Sequence, residues 1–87
     1  MTTIEASAHS AIRAFVEHHI CELNGLLPGA FQLSETELVR SGKPCGMYFC
    51  LNGPRQVRFV AIWERNTGSV IFYDSSGQRQ KRLEFSS

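Results

Sequence analysis

The sequence predicts an α+β domain, in which one N-terminal amphipathic helix packs on one face of an antiparallel β-meander of four strands, or five if the last segment pairs. Three observations predict this class. Apolar residues recur with a helical period at the start of the chain, and short alternating apolar runs separated by turn residues follow. The length of 87 residues suits a single domain spanning residues 1–87.

The first element is a helix, which we expect from about Thr3 to Leu23. Its apolar residues recur at steps of three and four, the period of a helix that buries one stripe. Thr2 and Glu5 fit a capping box, and Asn24-Gly25 fits a helix end. The predicted stripe comprises Ile4, Ala8, Ala11, Ile12, Phe15, Val16, Ile20 and Leu23.

Turn-forming residues divide the rest of the chain into extended segments. Because the loops between these segments are short, we expect neighbouring strands to pair antiparallel. The last segment is either a polar strand or a frayed tail. In order, the segments are about Glu35 to Arg40, Met47 to Leu51, Arg55 to Glu64, Ser69 to Tyr73, and Gln78 to Phe85.

The composition indicates a folded domain, with 43% hydrophobic and 20% charged residues. No apolar stretch approaches the roughly 18 residues of a membrane span, and the first residues lack the pattern of a secretion signal. We therefore expect a cytoplasmic protein that does not associate with membranes. The cysteine count is odd, with Cys21, Cys45 and Cys50, and we expect reduced thiols.

The charge is nearly balanced overall but unevenly distributed along the chain. A formal net charge of +1 predicts no strong attraction to nucleic acid. The chain up to Glu37 contains five acidic residues and one basic residue, and the remainder contains eight basic and three acidic residues. We expect internal balance, with an acidic helix face near a basic sheet edge.

The alternation along the predicted strands gives the sheet two distinct faces. We expect one face, which is almost wholly apolar, to lie under the helix. The other is unusually apolar for a surface in water. The first carries Met47, Phe49, Leu51, Val57, Phe59, Ala61, Trp63, Val70 and Phe72. The second carries Tyr48, Cys50, Gln56, Arg58, Val60, Ile62, Glu64, Ile71 and Tyr73.

This second face has three interpretations. Either the C-terminal segment folds back over it, or it is the interface of a homodimer or another protein partner, or it stacks single-stranded nucleic acid. We favour a non-catalytic protein-interaction or self-association module, because aromatic and arginine residues around an aliphatic centre are typical of interfaces. The expected surface consists of Tyr48, Arg58, Val60, Ile62, Ile71 and Tyr73.

The nucleic-acid alternative uses the same face. Tyr48 and Tyr73 would stack on bases, and the basic residues around them would contact phosphates. The sequence lacks the glycine-aromatic signature of an RNA-recognition sheet, and its near-neutral charge weakens the electrostatic attraction. The candidate phosphate contacts are Arg55, Arg79, Lys81 and Arg82.

A third alternative is a cysteine-dependent enzyme. His19 falls in the middle of the apolar helix stripe, so we expect it to point into the core, bonded to a carbonyl or a tyrosine hydroxyl. The catalytic hypothesis instead pairs His19 with Cys45 as base and nucleophile. Because no orienting third group or oxyanion hole is recognisable, we expect no enzyme.

The sequence predicts no metal site and no cofactor. Cys45 and Cys50 would point to opposite faces of one strand, and His18 with Cys21 offers only two of the four ligands of structural zinc. Neither common phosphate-binding glycine motif occurs.

Overall fold

The computed structural model describes the backbone of residues 2–85 and the side chains of residues 10–85. The five strands of this part of the chain form one antiparallel sheet, in which each strand pairs with the strands that precede and follow it in sequence. The predicted α+β class is confirmed, and the last segment is a fifth strand. The elements are α1 (Thr2–Asn24), β1 (Leu33–Arg40), β2 (Lys43–Asn52), β3 (Arg58–Glu64), β4 (Ser69–Tyr73) and β5 (Arg79–Glu84).

The helix ends at the predicted position. Gly25 takes a φ of 66°, and the amide of Leu26 donates to the carbonyl of Cys21 at 2.9 Å, which is the hydrogen bond of a glycine C-cap. The side chains of the predicted capping box, Thr2 and Glu5, lie outside the described residues. Among the residues described, no helix combines the length and the hydropathy needed to cross a bilayer.

The core lies between α1 and the face of the sheet that the sequence assigns to it. Phe49 and Leu51 on the second strand and Ala61 on the third are fully buried, and Trp63 packs at the margin. Alternation therefore predicted the helix side of the sheet correctly. The buried hydrophobic residues are Ile12, Val16, Ile20, Cys21, Leu33, Met47, Phe49, Leu51, Phe59, Ala61, Val70 and Phe72.

The loop at residues 25–32 covers the side of the helix that turns away from the predicted stripe. The amide of Gly29 donates to Glu17 Oε2 at 3.1 Å, while Leu26 and Phe31 pack against the core. Cys21 is consequently only 1% exposed, although it lies outside the predicted stripe. Burial raises the pKa of its thiol, with a further contribution from Glu17.

The strands β1, β2 and β3 begin at residues other than the predicted ones; β2 begins at Lys43 rather than Met47, because Lys43 already pairs with Arg40. β3 begins at Arg58 rather than Arg55, because residues 54–57 form a tight turn, in which the amide of Val57 donates to the carbonyl of Pro54 at 3.1 Å. In that turn Arg55 and Gln56 have φ values of 59° and 64°, a conformation that non-glycine residues seldom adopt. The first strand begins at Leu33 rather than Glu35, because Leu33 pairs with Leu51 and is buried.

An ion pair between the helix and the sheet reverses the expected arrangement of an acidic helix face near a basic sheet edge. Arg13 on the helix pairs with Glu35 on β1, with Nη1 and Oε1 2.6 Å apart, and its Nη2 donates to the carbonyl of Leu33 at 2.6 Å. The base therefore lies on the helix and the acid on the sheet.

Candidate functional site: the open face of the sheet

The face of the sheet opposite α1 presents an apolar centre, which we call the open face. The strand register places its side chains in cross-strand rows. One row runs across Thr36, Tyr48, Ile62, Ile71 and Arg82. The next row runs across Ser34, Cys50, Val60, Tyr73 and Arg79.

The C-terminal segment does not cover this face. It continues the sheet as β5, in which Val70 pairs with Leu83 and Ile71 pairs with Arg82. Within residues 2–85, the helix lies on the other side and no further element follows β5. Of the three interpretations of the second face, the fold-back is therefore excluded for the described part of the chain.

The centre of the open face is half-buried to exposed. Tyr48 is 37% exposed, which makes it one of the exposed large hydrophobic side chains of the described chain. The remaining apolar residues of the centre keep part of their surface accessible, whereas the core face of the same strands is buried. These half-buried residues are Cys50, Val60, Ile62, Ile71 and Tyr73.

The rim of the open face is polar. On β5, Arg82 reaches across to β4, where Nη2 donates to the hydroxyl of Ser69 at 2.5 Å. That contact satisfies Ser69, a polar residue that is 1% exposed. An apolar centre with a hydrogen-bonded polar rim is the arrangement found in protein interfaces.

The central strand carries opposite charges at its two ends, on the open face. Arg58 begins β3 and Glu64 ends it, with Val60 and Ile62 between them on the same side. Glu64 accepts a 3.3 Å hydrogen bond from the hydroxyl of Thr67. Neither charged residue forms an ion pair with any side chain that the structure describes.

The four candidate phosphate contacts do not share one surface. Arg79 and Arg82 belong to rows of the open face, whereas Lys81 pairs with Phe72 and so belongs to the helix side. Arg55 lies in the turn before β3. The basic run of β5 is thus divided between the two faces, so only two of its three positive charges, Arg79 and Arg82, can contact nucleic acid bound to the open face.

The structure places His19 and Cys45 in different surroundings. The His19 ring packs on Phe15 and Phe72 with centroids 4.5 Å and 5.9 Å away. Cys45 instead lines a cleft near the β1–β2 hairpin, together with Leu38 and Glu64. No hydrogen bond described for residues 10–85 joins this thiol to His19.

His19 is also less buried than its helical position predicts. Its side chain is 23% exposed, and its Nδ1 lies 3.7 Å from a carboxylate oxygen of Glu22; no hydrogen bond described for residues 10–85 joins the ring to a carbonyl or a tyrosine hydroxyl. His18 lies 3.9 Å from the same oxygen, so three possible metal ligands lie within 4.8 Å of one another. Sequence reasoning missed this cluster, whose signal is the spacing of three and four residues on one helix. Their neighbouring positions on one helix bring the three side chains together without a metal, and structural zinc takes four ligands.

The protonation of His19 should make stability depend on pH. Burial lowers its pKa below the ordinary value of 6.5; the charges of His18 and Lys81 act in the same direction, and Glu22 opposes them. The folded state therefore favours the neutral ring, and the unfolded chain takes up the proton first. The contribution of His19 to the free energy of unfolding is therefore complete above about pH 6.5, and it is lost as the pH falls below that value.

We expect His19→Gln to remove most of that loss of stability. The measurement is the free energy of urea unfolding on both sides of pH 6.5. His18→Gln, at an exposed neighbouring position, should retain most of the pH dependence. An unchanged pH dependence in His19→Gln would mean that another group is responsible.

Comparisons with protein-family models, with curated proteins and with solved structures find no match to this chain. The geometry of the open face therefore carries the functional argument.

Proposed function

We propose that the chain is a non-catalytic interaction module that self-associates through the open face. The observation that carries the proposal is the apolar centre around Tyr48, Val60, Ile62 and Ile71, which no described element covers. Covering this centre would release water from apolar surface, which is the main favourable contribution to protein association. Monomeric proteins rarely expose contiguous apolar patches larger than a few hundred Å².

The two edges of the sheet are poorer surfaces for self-association. The β5 edge carries Arg79, Lys81 and Arg82, and the β1 edge carries Glu35 and Glu37. Edge charges of this kind disfavour pairing of like edges. Pairing of the acidic edge with the basic edge of another copy would build open chains of molecules rather than a closed dimer.

The cysteines favour a non-catalytic function. Catalysis by a thiol needs a thiolate and a base within hydrogen-bonding distance. The pKa of Cys21 is raised by burial, and Cys45 has a cleft environment separate from that of His19.

Sedimentation equilibrium of the purified chain at low and high salt tests the proposal. We expect a dimer whose dissociation constant changes little with salt, because burial of apolar surface dominates. A monomer throughout the micromolar range would contradict self-association. Assembly beyond a dimer that dissolves in salt would indicate edge pairing instead. Absorbance at 260 nm from carried-over nucleic acid would favour the stacking alternative.

A further inference from the structure

The charges on the central strand bear on how two copies would be arranged. On the open face, β3 presents a positive residue, two apolar residues and a negative residue in turn. These are Arg58, Val60, Ile62 and Glu64. Arg58 and Glu64 are six residue steps apart, which corresponds to about 20 Å along an extended strand. Within one molecule Arg58 and Glu64 are therefore too far apart to pair.

Two symmetric arrangements are available for sheets packed face to face. A two-fold axis parallel to the strands would place Arg58 against the same residue of the second copy, and Glu64 likewise. A two-fold axis perpendicular to the strands, passing over the centre of β3, would bring Arg58 of each copy to Glu64 of the other. It would also bring Val60 of each copy to Ile62 of the other, which keeps the apolar centre closed.

We infer that the partner of the open face is a second copy of this chain, packed with the two β3 strands antiparallel about an axis perpendicular to them. This inference rests on the proposed self-association and adds its geometry. Like charges facing each other disfavour the parallel arrangement, and each antiparallel dimer gains two opposite-charge contacts. Both side chains are exposed and have no ion-pair partner among the described residues, so they are available.

Other charged residues lie near Arg58 and Glu64 or would meet across the dimer. Arg40 lines the cleft that contains Glu64, and Glu84 shares a cross-strand row with Glu64 through Ser69. In the second copy the same symmetry brings Arg79 towards Arg82, but these lie on the edge strand β5 and Arg82 is bonded to Ser69. The contacts on β3 lie on the central strand, whereas Arg79 and Arg82 lie at the exposed edge of the sheet, where water and salt screen like charges, so the β3 contacts should dominate.

Complementary charge reversals test this arrangement. Arg58→Glu and Glu64→Arg should each weaken self-association, by roughly ten-fold, because two contacts per dimer become repulsive. An equimolar mixture of the two variants should recover association as a heterodimer, since both of its cross-copy contacts join opposite charges. Sedimentation velocity and native mass spectrometry of the mixture measure this.

A matched control has the same net charges. Arg55→Glu lies in the turn before β3 and keeps both contacts, so it should dimerise like wild type, and its mixture with Glu64→Arg should form few heterodimers, because one of their two contacts is repulsive. If wild type forms a dimer but the Arg58→Glu and Glu64→Arg mixture stays dissociated, the antiparallel arrangement is wrong and self-association stands. If wild type remains a monomer, both the arrangement and the proposed function fail.

Discussion

Gly46→Ala is expected to lower the free energy of unfolding by about 3 kcal/mol or more, a large share of the roughly 4–13 kcal/mol typical of a domain this size. Gly46 is buried in β2, opposite Glu64. A Cβ atom placed there would lie 2.0 Å from the carbonyl oxygen of Trp63. Because that neighbour is backbone, the two strands must separate to admit a methyl group.

Urea unfolding followed by the fluorescence of Trp63 measures the effect. Gly25→Ala is the matched control, since its Cβ would meet nothing within 4 Å and only its φ of 66° is unfavourable. That conformation should cost about 1 kcal/mol. If Gly46→Ala is no more destabilising than Gly25→Ala, the close approach of the two strands is wrong.

Ile62→Glu is expected to raise the dissociation constant of the dimer by about 100-fold or more, because each copy would bury a carboxylate without a partner near the centre of the interface. Ile62 is half-buried, at the middle of the central strand and on the open face. In a monomer that carboxylate can remain in water, so the variant should still fold.

Sedimentation equilibrium measures the dissociation constant, and circular dichroism checks the helix. Leu27→Glu is a matched control, because Leu27 is 72% exposed and lies in the loop at residues 25–32, away from the open face. It should leave the dissociation constant unchanged. If Ile62→Glu unfolds the chain, the open face is part of the core; if it dimerises like wild type, the interface lies elsewhere.

The fold could be predicted from the sequence where one physical signal dominates. Alternation assigned Phe49, Ala61 and Phe72 to the helix side, because a one-residue slip would expose the whole apolar set. The glycine C-cap at Gly25 was predictable for a similar reason, since few residues accept its conformation. Whether the last segment forms a strand was not predictable, because its polar residues suit an edge strand and a frayed tail equally.

Other features depend on contacts that local patterns do not encode. The turn at Arg55 and Gln56 uses a backbone conformation that neither residue signals. Cys21 is 1% exposed because the loop after the helix covers its side of the helix, and the side chain of His19 is 23% exposed; helical periodicity alone predicts neither value. The apolar residues of the open face could be named from the sequence. The position of Glu64 at the end of the central strand could not, because it depends on the strand order.

The most direct test of self-association through the open face is methyl NMR of the wild-type chain over a dilution series. Resonances of Val60, Ile62 and Ile71 should shift with concentration, while those of Leu27 and Val39, exposed elsewhere, should not. Unchanged resonances on the open face, or shifts centred on Leu27 or Val39, would contradict the proposed interface.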